Sequence, residues 1–127
     1  MRVETGLDGS AEATVDQSMT AQALGSGDVA VLGTPAVLAL VERAAVRALD
    51  GHLDPGETSV GAAVEMRHLA PTPVGAIARA TARLSSLDGR KLEFEFEVAD
   101  DRGRVAEGRH TRVIVDRKRF LTSMSDG

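Results

Sequence analysis

The stretch GTPAVLALVERAAVRALDGHL, residues 33–53, reads as one long helix, and everything that follows it reads as strands. That contrast limits the folds open to the chain. Val37, Leu38, Leu40, Val41, Ala44, Ala45, Ala48 and Leu49 recur at three- and four-residue steps, as an amphipathic or largely buried helix requires. Thr34 is a candidate cap for the free backbone amides, Pro35 suits the first helical turn, and Asp50-Gly51 is a stop. Glu42 interrupts the stripe. It falls between Leu38 and Ala45, and its helical neighbours three and four residues away are Leu38, Ala39, Ala45 and Val46. None of these pairs with a carboxylate, so a buried Glu42 needs a partner from elsewhere in the fold.

After the turn-rich LDPGETS at 53–59, the pattern changes period. In SVGAAVEMRHLAPTP, alternation places Val60, Ala62, Val64, Met66 and His68 on one face, and Pro71 and Pro73 end the strand. GAIARATARLSSLD is alanine-rich, but the Asp88-Gly89 that closes it is a hairpin signal and favours a strand. RKLEFEFEVAD alternates cleanly, with Leu92, Phe94, Phe96 and Val98 inward and Glu93, Glu95 and Glu97 outward. DDRGR forms a turn, and VAEGRHTRVIVD is the last strand. Ahead of the helix, SAEATVDQSMT at 10–20 is a weaker strand candidate, and ALGSGD at 23–28 is a loop. DRKR at 116–119 reads as a solvated strand end or a phosphate contact, and SMSDG as a frayed tail. The expected order is strand, long helix, then four antiparallel strands joined by hairpins, an α+β arrangement.

The chain of 127 residues has the length of one domain, with its core over about 10–120. Hydrophobic residues make up 43% but aromatics only 2%, so the core and any pocket are aliphatic. The net charge of −4 argues against general nucleic-acid binding. The lack of cysteine excludes disulfides, thiol nucleophiles and cysteine-ligated metals. No apolar run is long enough to span a bilayer and MRVETGLDGS is no signal peptide, so a soluble cytoplasmic protein is expected.

Common phosphate-loop, nucleophile-elbow and zinc-protease motifs are absent, and His52, His68 and His110 lack metal-site spacing. Glu42 is the strongest chemical candidate. It is either a structural glutamate paired with arginine or histidine, or a carboxylate kept reactive by poor solvation. Thr34, Leu38 and Glu42 lie along one helical face, with Thr34 and Glu42 ~12 Å apart along the axis. They suit two ends of one groove. His68 ends an inward row, where it is either a satisfied core histidine or a partner for Glu42's chemistry. Gly61 marks a close backbone approach by a neighbour or a ligand. His110, near Gly108 and Arg112, reads as structural.

GTPAVLALVERAAVRAL, LDPGETSVGAAVEMRHLAPTPVG and GRKLEFEFEVADDRGRVAEGRHTRVIV together resemble the hotdog-fold thioesterases of the fluoroacetyl-CoA thioesterase type, over roughly residues 31–120. The helix glutamate followed by the H-x-A-x-T-P segment is the most specific part. The resemblance implies a long helix wrapped by a curved antiparallel sheet, and a homodimer with its active site at the subunit interface. It implies catalytic roles for Glu42, His68 and Thr34, and substrate binding by the backbone amide of Gly61. The substrate would be an acyl-CoA or acyl-carrier thioester, with CoA part of the substrate and no cofactor or metal. The region QALGSGDVAVLG lacks the aromatic lid of the fluoroacetate-specific enzyme, which points to another small or medium acyl group. The alternatives are a non-catalytic acyl-CoA-binding module on the same fold and, ranked lower, a hydratase or dehydratase.

Overall fold

The computed structural model describes residues 2–125. One five-stranded antiparallel sheet runs in the order β1-β3-β4-β5-β2, formed by β1 (Asp8–Thr14), β2 (Glu57–His68), β3 (Ile77–Asp88), β4 (Lys91–Asp100) and β5 (Gly103–Asp116). The long helix α2 (Thr34–Ala48) packs against its inner face, most extensively on β1 and β3. A 3-10 turn (Gln17–Met19) and a one-turn helix α1 (Ala21–Leu24) precede it, and α3 (Arg117–Ser125) follows β5. This is the hotdog architecture, a curled sheet wrapped on one helix, in the α+β class.

Side-chain size sets how closely the helix approaches the sheet. On β3 the inward row is Ala78, Ala80, Ala82 and Leu84, and it meets the helix's own Ala44, Ala45 and Ala48 in one buried cluster. On β1, Gly9 lies so close to α2 that an added methyl would collide with Ala44 O and Ala48 N. The bulkier Phe94 and Phe96 occupy β4, and Leu92, Phe94, Phe96 and Val98 are all buried as their alternation requires.

The hairpins at Asp88-Gly89 and Asp100–Gly103 form as expected. β2 and β3 form no hairpin, because β2 pairs with β5 at one edge while β3 lies between β1 and β4. The first strand spans 8–14, and much of the rest of its expected range turns into the 3-10 segment. There Asp16 accepts from the Ser18 amide, and Thr20 then caps α1 by accepting from Ala23 N. The expected loop at 23–28 begins inside α1, which Gly25 closes with a φ of 73°. At the other end, Arg117–Arg119 belong to α3, whose first turn is tied by Asp116 Oδ1 accepting from Arg119 N. Ser123–Ser125 are helical, and the last two residues of the expected frayed tail lie outside the described residues.

The start of α2 is fastened from two sides. Gly33 donates its amide to Met19 O and packs against Ala21, where a side chain would be crowded. Leu32 N donates to Thr72 O at 2.9 Å, and buried Thr72 donates its hydroxyl to Asp100 Oδ2 at 2.9 Å. Thr72 of the H-x-A-x-T-P segment therefore ties the start of the helix to the end of β4.

Gly9→Ala is expected to destabilise the protein by about 1–3 kcal/mol through overpacking against the α2 backbone. A lowered midpoint in urea unfolding checks this, and an unchanged midpoint would mean that β1 can move away from the helix.

Candidate active site

Glu42 lies at the edge of the α2 apolar stripe, facing β2 and β5. Its Oε2 accepts from Arg112 Nη1 at 3.2 Å. The pair is lopsided: the Arg112 side chain is 7% exposed and the Glu42 side chain 45%. Arg112 is fixed along its length, with Nε donating to Ser59 Oγ at 2.9 Å and Nη2 to Ser59 O at 3.0 Å. Burial pulls the guanidinium pKa below its ordinary value, and the charge and hydrogen bond of Glu42 act against that shift. Glu42 Oε1 has no hydrogen bond among the described residues, so one carboxylate oxygen is anchored and the other is open.

Gly61 is adjacent. A methyl there would run into Glu42 Oε2 and also approach His110 and Arg112. Its missing side chain therefore makes room for the carboxylate, which is the close neighbour expected for a strand glycine.

A β-bulge then changes the geometry of β2. Gly61 lies opposite Arg112, but Ala63 lies opposite Thr111, so the register shifts between them. Residues directly opposite in an antiparallel pair share a face, so Gly61, Val64, Met66 and His68 all face the same way as Arg112, His110, Gly108 and Ala106. Strict alternation would put Gly61 and His68 on opposite faces, because an odd number of positions separates them. The extra residue corrects the parity, as bulges beside active sites often do. The expected row of Val60, Ala62, Val64, Met66 and His68 is thus broken. Val60 belongs to the opposite face, and Ala62 is the residue taken up by the bulge.

At the other end of the groove, Thr34 Oγ1 and His68 Nδ1 are 2.9 Å apart. Thr34 is not the helix cap. Gly33 holds that position without a side-chain bond, and Thr34 is the first helical residue, its hydroxyl turned to His68. His68 Nε2 is buried without a hydrogen-bond partner.

The four residues singled out in the sequence thus meet as two pairs, Glu42 with Gly61 and Thr34 with His68. The partner of Glu42 is Arg112, not His68. The sequence held a signal for this, since Arg112 shares the inward alternation of β5 with His110 and Ile114. A charge in a buried strand row and a charge in a buried helix stripe call for one another. His52 is remote from both pairs, its Nδ1 2.9 Å from Arg2 O. Among the described residues no group of three or more histidines or carboxylates is placed to hold a metal ion. Nor is any helix long and apolar enough to cross a membrane.

Residues 15–118 match the fluoroacetyl-CoA-specific thioesterase family, and the chain belongs to it. The fluoroacetyl-CoA thioesterase of Streptantibioticus cattleyicolor is 36% identical over 90 residues, which are 71% of this chain and 65% of that protein. The matched segment therefore spans just under two thirds of the relative's length. A crystal structure of a fluoroacetyl-CoA-specific thioesterase variant with fluoroacetate and CoA superimposes with a TM-score of 0.87 at 29% identity, covering 93% of this chain and 99% of that one. A Thermus thermophilus protein described as a thioesterase superfamily member gives 0.91 at 26% identity, covering 99% and 94%.

His110 offers a test of the site's electrostatics. Burial pushes its pKa below the ordinary 6.5 and the Arg112 charge adds to this, while its bond to Ala63 O and the Glu42 charge oppose it. The folded protein therefore holds His110 neutral where the unfolded chain already binds a proton. Its contribution to stability is complete above about pH 6.5 and declines as pH falls below that value, levelling off only beneath the folded pKa. His110→Gln should remove this part of the acid sensitivity. Urea midpoints compared between pH 7.5 and 5.5 check it, and the same slope in both proteins would refute it.

Proposed function

We propose that the chain is a single-domain acyl-CoA thioesterase that hydrolyses a small or medium acyl thioester, with Glu42 as its reactive carboxylate. The observation that carries this reading is a carboxylate held by a buried arginine at one oxygen and open at the other, on the helix-facing side of a sheet that also presents the Thr34–His68 pair. Family membership and the CoA-bound neighbour support the thioester class.

Two routes fit the geometry. In one, Glu42 Oε1 adds to the acyl carbon, the carbon–sulfur bond breaks, CoA leaves as the thiol after taking a proton, and water cleaves the mixed anhydride to the free acid. In the other, Glu42 takes a proton from water as hydroxide adds to the acyl carbon, and the tetrahedral intermediate expels the thiol. In both, the amide of Gly61 stabilises the developing oxyanion, and the Thr34–His68 pair moves the proton or orients water. No cofactor enters either route. The aromatic-free segment ahead of α2 favours a substrate other than fluoroacetyl-CoA.

We further propose a homodimer with the active site between subunits. β2 is a long edge strand whose Gly61–Glu65 stretch is exposed, and an unpaired edge of this kind invites a second strand. Leu38, Val46 and Val64 surround Glu42 with apolar surface that a partner would cover. Light scattering should return twice the chain mass, and a monomer that retains full activity would remove the interface from the site. The cysteine-free sequence fits the reducing cytoplasm.

The leading test is free-thiol release from acyl-CoAs of increasing chain length, by the wild type and by Glu42→Ala. Release that is selective for chain length and lower by at least about a hundredfold in the variant is expected. Saturable binding without release would instead identify a non-catalytic binding module, and equal release by both proteins would make Glu42 structural.

A further inference from the structure

His110 is completely buried and lies outside the four residues assigned to the chemistry, yet it touches both parts of the Glu42 end of the groove. Its Nδ1 is 2.9 Å from Ala63 O, in the β2 bulge that follows Gly61. Its Nε2 is 3.1 Å from Arg112 Nη1, the same nitrogen that donates to Glu42 Oε2. Its ring stacks on Phe94, with centroids 6.4 Å apart and planes at 29°.

These contacts fix the tautomer. A carbonyl oxygen only accepts, so Nδ1 carries the proton and donates to Ala63 O. Arg112 only donates, so Nε2 presents its lone pair. The ring thus joins the bulge to the guanidinium. The two hydrogens of Nη1 are shared between His110 and Glu42, and the position of one partner sets the direction of the other. Burial against Phe94 leaves the ring no room to turn.

We infer that His110 is a positioning residue for the thioesterase reaction, aiming the Arg112 guanidinium and through it the Glu42 carboxylate while pinning the bulge beside Gly61. This rests on the reading of Glu42 as the reactive group. Its consequence is specific: the acceptor at the Nε2 position matters more for turnover than the aromatic ring does. Glutamine can place an amide oxygen near the Nε2 position, asparagine can place an amide nitrogen near the Nδ1 position, and phenylalanine keeps the ring but neither bond.

The test measures kcat, KM and thermal midpoint for wild type, His110→Gln, His110→Asn and His110→Phe on the best acyl-CoA, together with the ring's nitrogen-15 shifts in the wild type. His110→Phe and His110→Asn should lower kcat by about tenfold or more with KM within about twofold, as expected when a reacting group is misplaced. His110→Gln should recover most of kcat even if its thermal midpoint is no higher than that of His110→Phe. The shifts should report the Nδ1–H tautomer with an unprotonated Nε2. Three variants with wild-type kcat, or a kcat that follows only the thermal midpoint, would overturn the inference. So would an Nε2–H tautomer, whatever the activity. A wild type that releases no thiol from any acyl-CoA would refute the thioesterase reading and the inference's catalytic part together, while the tautomer would still report separately on the network.

Discussion

The site depends on one ion pair across the seam between helix and sheet. Arg112 is buried and Glu42 is not, so the arginine bears most of the desolvation cost. An apolar pair of similar volume would fill that seam at least as stably, since buried charges seldom add net stability. The pair's evident effect is on position: it fixes one carboxylate oxygen and leaves the other open. Each surrounding choice serves that placement. Ser59 takes two of the remaining arginine hydrogens, His110 takes another, and Gly61 has no side chain where the carboxylate lies.

The bulge in β2 is the second constraint, and it is geometric. A twelve-residue edge strand with strict alternation would turn either Gly61 or His68 away from the helix. One extra residue near Ala62 lets both face it. His110 bonds Ala63 O within this irregular segment, so the bulge is held by a side chain from the neighbouring strand. At the far end, Thr72 binds both Leu32 and Asp100, which sets the height of Thr34 relative to His68. Two fastenings, one at each end, define the length of the groove.

Much of this was legible in the sequence where a single period governed the residues. The helix from Thr34, the alternation of β4 and the hairpin at Asp88-Gly89 follow from local pattern alone, because each buries one face against one neighbour. The segments that differed obey other physics. The alternation of β2 fails at its bulge, which is visible only in pairing with β5. Asp16 and Thr20 turn the chain into short helical segments through side-chain caps that a strand pattern ignores. Thr34 resembles a cap by sequence, but its hydroxyl is drawn to a histidine distant in the chain. Arg112 was present in the inward row of β5, yet a charged residue there stands out only once the helix stripe is known to carry the opposite charge.

The half-exposure of Glu42 also bears on how such a site would work. A fully buried carboxylate beside Arg112 would be locked in its ion pair and shielded from substrate. A fully exposed one would be solvated on every side and weak as a base or nucleophile. Here the arginine side is dry and the open side lies beside the exposed edge of β2. Covering that edge, by substrate or by a second copy of the chain, would strip water from the free oxygen while Arg112 keeps the carboxylate charged and aimed. Desolvation strengthens each electrostatic contact inside such a pocket. The exposed β2 edge and the lopsided ion pair are therefore two parts of one arrangement: the protomer holds the charge in place, and whatever closes the groove makes it reactive.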